Sequence, residues 1–593
     1  MSEPELSANA RQVLEARYLK RDADRNIIET PAELFESVAH AVAHAELLLG
    51  NTRRAEFWKD KFLEIMTSLD FLPNSPTLMN AGKSLGQLSA CFVLPVEDNM
   101  ESIFEAVKQM ALVQRTGGGT GFSFSALRPK GDFVSSTSGE ASGPVSFMKI
   151  FDCVTQNIRQ GGKRRGANMG ALRVDHPDIL EFIDAKHDDG SLQNFNISVA
   201  VTDAFMQAVN RDGDLSLIHP AGRNVVDRMP ARTVFDKITA AAWGTGDPGL
   251  VFLDTINRSN PTPQLGTIGA TNPCGEIPLL PYESCNLGSI NLARMLRRTR
   301  TRHEVDWDKL RHTARVAVRF LDDVVEVNRY PVDAIETMTR GNRKIGLGVM
   351  GFAEMLIRLR IPYASDKALK LAGDIIAVMS EEALDASCEL ARERGVFPNW
   401  KGSVYEDRNI RLRNAARTAI APTGTIGIIA GTTPGIEPLF ALAYRRANVL
   451  NGQTLVDTNP LLNEYLKEAG MDTETVIEAV MEKGRLAEAN GVPEELKSLF
   501  MTALEIPPET HLRIQAAFQR HVDNSVSKTI NLPADAQIGD VAGIYRQAWE
   551  LALKGITVYR YGSKAQQVLQ LGVGEKGYQY NHASKCDPDE CNL

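Results

Sequence analysis

The chain has 593 residues, 43% hydrophobic and 24% charged, which suits two or three domains or one large enzyme barrel with a sizeable core. A net charge of −8 argues against a general nucleic-acid binder, which would carry a basic surface. No apolar run approaches the ~18 residues of a membrane span, no basic-then-apolar leader opens the chain, and seven cysteines over this length do not form a secreted disulfide framework. A cytoplasmic protein is expected.

In chain order, Thr30-Pro31-Ala32-Glu33 opens a helix. Thr30 can cap, Pro31 fits the first turn and Glu33 completes a capping box. Leu34, Val38 and Val42 continue at helical spacing. FLPNSPTLMNAG, rich in Pro and Asn, reads as loop. Glu101 to Arg115 reads as a helix stopped by Gly117-Gly118-Gly119, and the alternation of GFSFSALRP predicts a strand. A helix is expected over 143–158, followed by a Gly- and Arg-rich loop, RQGGKRRGANMG. Further helices are expected at 305–328, 365–394 and 535–554, with strand-like runs GLVFL, TIGIIAG and GITVYR among them. Helices alternating with short strands favour an α/β fold. From about residue 566 the chain turns polar and Gly-rich and ends in SKCDPDECNL, a composition that predicts a mobile tail.

Two glycine motifs mislead. Gly346-Leu-Gly348-Val-Met-Gly351 fits GxGxxG, but the preceding TMTRGNRKI is polar where a dinucleotide fingerprint needs a buried strand. Tight helix packing is the plainer reading. GGGTG at 117–121 lacks the GK[ST] ending of a P-loop. The basic clusters Lys163-Arg164-Arg165 and Arg297 to Arg302 fit either a phosphorylated ligand or a solvated charge run.

The cysteines divide by context. Cys388, four residues after Leu384 on one helical face, and Cys153 read as core packing. Cys586 and Cys591 lie in the acidic tail, where a thiol shuttle, a metal ligand or adventitious thiols are all open. Cys91 and Cys285 could form a disulfide if their Cα atoms come within about 4.4–6.8 Å. In NPCGE, an extended chain would turn Asn272, Cys274 and Glu276 to one side. A redox or radical pair of thiol and carboxylate is one reading; a buried loop cysteine beside a satisfied Glu is the other.

These pieces occur together in the large catalytic subunit of ribonucleotide reductases, which the chain resembles from about Leu6 to its end. NPCGE followed by CNLGSINL is the most specific block. GGGTGFSFSALRP, QGGKRRGANMG, RKIGLGVMGFAEML and APTGTIGIIAGTTPGIEPLF follow the family's order. The resemblance implies a ten-stranded α/β barrel of two parallel half-barrels, with a finger loop carrying the radical cysteine. It implies a helical region over 1–65, the barrel with its effector loops over 66–565, and a redox tail over 566–593. Cys274 would become the thiyl radical that takes the 3′ hydrogen, Glu276 the base for the 3′ hydroxyl, and Asn272 a hydrogen-bonding partner in the site. Cys91 and Cys285 would be the reducing pair, re-reduced by Cys586 and Cys591. Thr423, Gly424, Thr425 and Ile426 match the substrate phosphate loop. Ser75 and Ala90 lie at substrate contacts, Ala90 in place of a serine common in other branches.

The radical source is implied by what stands near the end of the barrel. Tyr559 and Tyr561 are separated by Arg560, so the adjacent tyrosine pair of the oxygen-dependent class is missing. No RxxGY-like glycine loop is present. TVYRYGS and the two-cysteine tail resemble the adenosylcobalamin-dependent class II, for which no metal-ligand motif is required. Arg159 to Met169, with Arg159, Gln160, Lys163 and Arg164, resembles specificity loop 2, and Arg128 to Gly143 resembles loop 1. Asp98 matches an effector-ribose contact, so dNTP or ATP effectors and a homodimer are expected. So are diphosphate substrates and a thioredoxin- or glutaredoxin-like reductant, with neither nucleic acid nor membrane as partner. An N-terminal ATP-cone is not expected. The alternatives are a class I-like subunit served by a separate radical-generating protein, and a non-catalytic nucleotide-binding homologue.

Overall fold

The helix expected from Thr30 forms over Pro31–Leu48 for the reason its sequence suggests. Glu33 N–H donates to Thr30 Oγ1 at 3.2 Å, and Thr30 N–H donates to the Glu33 carboxylate at 2.8 Å. In this computed structural model, which describes residues 3–50, 52–135, 138–160, 164–187, 190–449 and 453–563, three helices make an N-terminal layer: α1 (Ala8–Arg17), α2 (Pro31–Leu48) and α3 (Thr52–Thr67). The layer packs Phe35, Val38, Val42 and Phe62 against Phe320 and Leu321.

The barrel strands are β1 (Cys91–Val93), β2 (Gly119–Ser123), β3 (Asn168–Arg173), β4 (Phe195–Val201) and β5 (Gly249–Phe252), then β6 (Ser284–Asn291), β7 (Ile345–Met350), β8 (Thr529–Leu532) and β9 (Gly555–Arg560). The connecting helices are α4 (Met100–Arg115), α5 (Pro144–Asn157), α6 (Ala231–Thr245), α7 (Trp307–Val327), α8 (Asp366–Arg394), α9 (Gly424–Ala430) and α10 (Ile538–Glu550).

Strands β1 to β5 run parallel in sequence order and form one half of the barrel. In the other half β6 is parallel to β7, and β8 to β9. Parallel bridges Leu347–Thr418 and Ile420–Val526 fill the gap between β7 and β8, so the 418–420 segment is the tenth stave. The halves join at two antiparallel seams, β1 with β6 and β5 with β9. This is the expected barrel of two parallel halves, and helices such as α5, α6 and α7 return the chain between parallel strands. Beneath the barrel, Arg394 and Arg343 each bond the buried Asp322 at 2.9 Å, and Arg319 bonds the buried Glu46 at 2.7 Å, tying α2, α7 and α8 together.

Several local expectations are corrected. FLPNSPTLMNAG is not all loop: Phe71–Pro73 pairs with β6, and Ser75–Asn80 is a short helix capped by Asn74, whose Oδ1 accepts from Thr77 N–H at 2.9 Å. TIGIIAG is helix α9 rather than strand. RQGGKRRGANMG pairs Arg159–Gln160 with Arg164–Arg165, and its end already belongs to β3. The GLGVMG motif does not pack helices. It spans β7, where a Cβ on Gly348 would stand 2.2 Å from the Ala419 carbonyl oxygen, so glycine lets two staves approach. No helix among the described residues is long and apolar enough to cross a membrane.

Candidate active site

The NPCGE stretch lies at the tip of a hairpin inside the barrel. Ala270–Thr271 pairs antiparallel with Pro278–Leu279. The expected extended segment is a tight turn instead. Asn272 N–H donates to Ile277 O at 3.2 Å, Gly275 N–H to Asn272 O at 3.1 Å, and Ile277 N–H to Asn272 Oδ1 at 3.0 Å. Gly275 takes φ +80°, a left-handed conformation that glycine adopts without steric cost. The hairpin presses so closely on β2 that a Cβ on Gly121 would lie 1.8 Å from the Thr271 carbonyl oxygen. Asn196 Nδ2 holds Pro273 O at 2.9 Å, and Ser525 N–H holds Glu276 O at 2.8 Å. Both half-barrels therefore fix the tip.

On one side of the tip, Asn272 Nδ2 donates to Glu276 Oε2 at 2.9 Å and to Cys91 Sγ at 3.2 Å. Cys91 Sγ lies 4.0 Å from Glu276 Oε1. Cys285 stands directly opposite Cys91 across the β1–β6 seam. Such pairs have Cα atoms roughly 4.5–5.5 Å apart with side chains on one face, inside the disulfide window. Cys91, Asn272, Glu276 and Cys285 are all buried.

Cys274 faces the other way, onto a cavity of about 510 Å³ that Pro273, Cys274 and Gly275 share with β4, β5, β8 and β9. Asn196, Ser198, Asn531 and Thr557 bring polar groups to it, Leu250 and Val251 apolar ones, and Tyr559 closes one side. Arg560, the next residue, instead lies 4.1 Å from the Trp243 ring, and its Nε donates to Trp243 O at 3.0 Å. These lining residues were not found from sequence, because they come singly from separated strands.

Burial governs the site's ionisation. It pushes Glu276 up to about 7, while the Asn272 hydrogen bond opposes the rise. Burial, aided by the Glu276 carboxylate, raises the thiols of Cys274 and Cys91. Burial also raises Cys285, with the Lys344 ammonium opposing. All three are therefore thiols at neutral pH, able to give hydrogen or protons.

The other expected residues are placed as follows. Ser75 Oγ is 2.7 Å from Tyr18 Oη, and Ala90 packs beside Cys91 and Cys285. Thr423 caps α9 with φ +51°, and its Oγ1 accepts from Gly435 N–H at 2.7 Å. Gly424 is exposed, Thr425 half-buried and Ile426 buried. Asp98 is joined to Arg128, accepting from its backbone N–H at 3.1 Å and its Nε at 2.8 Å. Arg159 and Gln160 pair with Arg165 and Arg164. Lys163, Cys586 and Cys591 lie outside the described residues. Cys388 is half-buried beside Leu384 as expected, but Cys153 is exposed, so its core reading is wrong. Among the described residues, no group of three or more His, Cys, Asp or Glu side chains is placed to hold a metal ion.

Comparison with known proteins adds to this geometry. Residues 4–86 match the family described as "Ribonucleotide reductase, all-alpha domain", and residues 89–412 and 408–559 match "Ribonucleotide reductase, barrel domain". The chain is 50% identical to a vitamin B12-dependent ribonucleoside-diphosphate reductase of Thermoplasma acidophilum, over 96% of this chain and 81% of that protein. It is 52% identical to one of Mycobacterium tuberculosis with the same description, again over 96% and 81%. Among solved structures it is similar to the Actinobacillus ureae class Id ribonucleotide reductase alpha subunit, with a TM-score of 0.77 and 26% identity, over 95% of this chain and 99% of that one.

Proposed function

This chain belongs to the ribonucleotide reductase family, and we propose that it is an adenosylcobalamin-dependent reductase that converts ribonucleoside diphosphates to 2′-deoxyribonucleotides. The observation that carries this reading is the two-sided hairpin tip. Cys274 faces an open cavity, while the Cys91–Cys285 pair and the Asn272–Glu276 hydrogen bond lie behind it.

The cavity suits the nucleoside arm of the cofactor. Its volume lies in the range of small-ligand sites, and Asn196, Ser198, Asn531 and Thr557 would hold polar groups between apolar walls. The bound cofactor supplies a carbon radical that can oxidise a thiol. This chain's residues do the rest. Cys274 takes the hydrogen from C3′ of the ribose and later returns it. Glu276 accepts the 3′ hydroxyl proton. One thiol of the Cys91–Cys285 pair protonates the departing 2′ hydroxyl, which leaves as water. The two thiols together give two electrons and end as a disulfide, which balances the reduction. Ser75, Ala90 and the Thr423 to Ile426 loop hold the substrate, the loop through its phosphates.

In this reading residues 1–65 form the helical region, 66–565 the catalytic barrel and 566–593 the redox tail. Cys586 and Cys591 pass electrons from a thioredoxin- or glutaredoxin-like reductant. Asp98, Arg128, Arg159, Gln160, Lys163 and Arg164 belong to the effector site of a homodimer that reads dNTP or ATP. A class I-like subunit is less well supported, since Tyr559 has no adjacent tyrosine and Arg560 is turned to Trp243. The test is anaerobic dCDP formation from CDP with a dithiol and a dTTP, dATP and dGTP panel, with and without adenosylcobalamin and with no second protein. Turnover only with the cofactor is expected. No turnover under any effector, repeated with CTP, would refute the proposal.

The protonation of Glu276 sets a pH dependence. A base must be ionised, so kcat/KM is expected to fall as pH drops through about 7. The Asn272 hydrogen bond favours the ionised form, so Asn272→Ala should move this limb to higher pH by roughly one unit. A limb that stays in place in that variant, measured with matched effector, would count against Glu276 as the base.

A further inference from the structure

A second cavity, of about 430 Å³, is lined by Ile268, just before the hairpin, and by Pro278 on its second strand. Arg258, Lys344, Arg408, Arg520, His521 and Lys554 all line it. Its one lining carboxylate, Asp523, is held by Arg417 at 2.6 Å. Two of the cations are also committed: Arg258 to Asp203 at 2.6 Å and Lys344 to Glu283 at 2.7 Å. Arg408 and Arg520 are exposed and, among the described residues, have no ion-pair partner.

Lys554 forms the floor. It is 6% exposed, and its Nζ donates only to backbone carbonyls, Asp523 O at 2.6 Å and Asn524 O at 2.5 Å. Burial pulls its ammonium down to about 8, with the Asp523 carboxylate opposing the fall and the Lys344 charge adding to it. It therefore remains mostly protonated at neutral pH. Asp523 is already paired with Arg417, so it compensates this buried ammonium only in part, which is unfavourable. An anion entering the cavity would complete it, with two free guanidinium groups at the rim whose fork geometry matches phosphate oxygens.

We propose that this cavity, framed by Arg408, Arg520 and Lys554, is a binding site for an oligophosphate anion, separate from the substrate and effector sites. Two unpaired rim guanidinium groups and a floor ammonium with no carboxylate hydrogen bond exceed what a single monoanion neutralises, whereas linked phosphates bring several charges into one pocket. The site also touches the reaction machinery. The carbonyls that Lys554 grips belong to Asp523 and Asn524, and the next residue, Ser525, donates its N–H to Glu276 O. An occupied site would brace the segment that steadies the hairpin tip.

The test is calorimetric titration of the full chain with inorganic diphosphate, without divalent metal and with CDP and dTTP present to fill the nucleotide sites. One further equivalent is expected to bind. Arg408→Ala and Arg520→Ala should each weaken it by about tenfold, with CDP affinity unchanged. Lys554→Gln should abolish it. Should that buried substitution impair folding, the two surface variants still decide the matter. No binding once the nucleotide sites are filled, or equal binding in both arginine variants, would overturn the proposal. Equal affinity for inorganic monophosphate would overturn the oligophosphate assignment.

Discussion

Cys274→Ser is expected to bind CDP and effector as the parent does and to form no deoxynucleotide, a loss of about 10⁴-fold or more. Serine keeps the shape of the hairpin tip, because Asn272, Gly275 and Ile277 hold the turn through their own groups without the thiol. What it removes is an S–H bond weak enough for a carbon radical to break. The alcohol O–H is much stronger, so the chain of hydrogen transfers cannot start. Retained nucleotide binding with undetectable dCDP in a radiolabelled assay is the signature. Turnover at even one per cent of the parent rate would remove Cys274 from the radical role.

The second large effect concerns the pair across the seam. Without external reductant, the parent, whose tail pair can re-reduce the central disulfide once, should release about two dCDP per competent site, while a chain with Cys586→Ser and Cys591→Ser should release about one and leave Cys91 bonded to Cys285. Their opposition in the ladder makes this bond possible without moving the backbone. Burial of both thiols keeps them protonated until the chemistry draws on them. Cys285→Ser and Cys91→Ser should each abolish sustained turnover, a loss on the order of 10³-fold or more. Peptide mapping after alkylation of free thiols identifies the disulfide. In the chain lacking the tail thiols, a disulfide between any other two cysteines, or steady turnover of Cys285→Ser or Cys91→Ser, would refute the assignment.

Much of this is legible in the sequence, but unevenly. The capping box at Thr30 and Glu33 was readable because both partners lie within one turn. The long helices α7 and α8 were readable because their apolar spacing is sustained. TIGIIAG misled because its β-branched residues suit a strand. Its state is set instead by Thr423 in a left-handed conformation and by packing of the 424–430 segment against α1. Cys153 misled for a simpler reason. The buried stripe of α5 runs through Val145, Met148, Phe151 and Thr155, and position 153 falls off that face. In the site, the residue types in NPCGE pointed to one cavity, yet the turn opens Cys274 onto the cavity while Asn272 and Glu276 are buried beside Cys91, with the Glu276 charge still felt at the Cys274 thiol. The approach of Cys91 to Cys285 depends on a strand pairing far apart in sequence. Spacing alone could not reveal it.

That pairing has a mechanical meaning. The two half-barrels meet along only two antiparallel seams, and the thiol pair straddles one of them. When the pair closes, a covalent bond rivets one half of the barrel to the other across a very long loop of chain. In a chain-entropy model such a loop stabilises the folded state by roughly 5 kcal/mol. In the proposed cycle each turnover would fasten the barrel shut and each re-reduction release it. On that proposal the molecule would be at its toughest when exhausted and at its softest when charged for the next reaction.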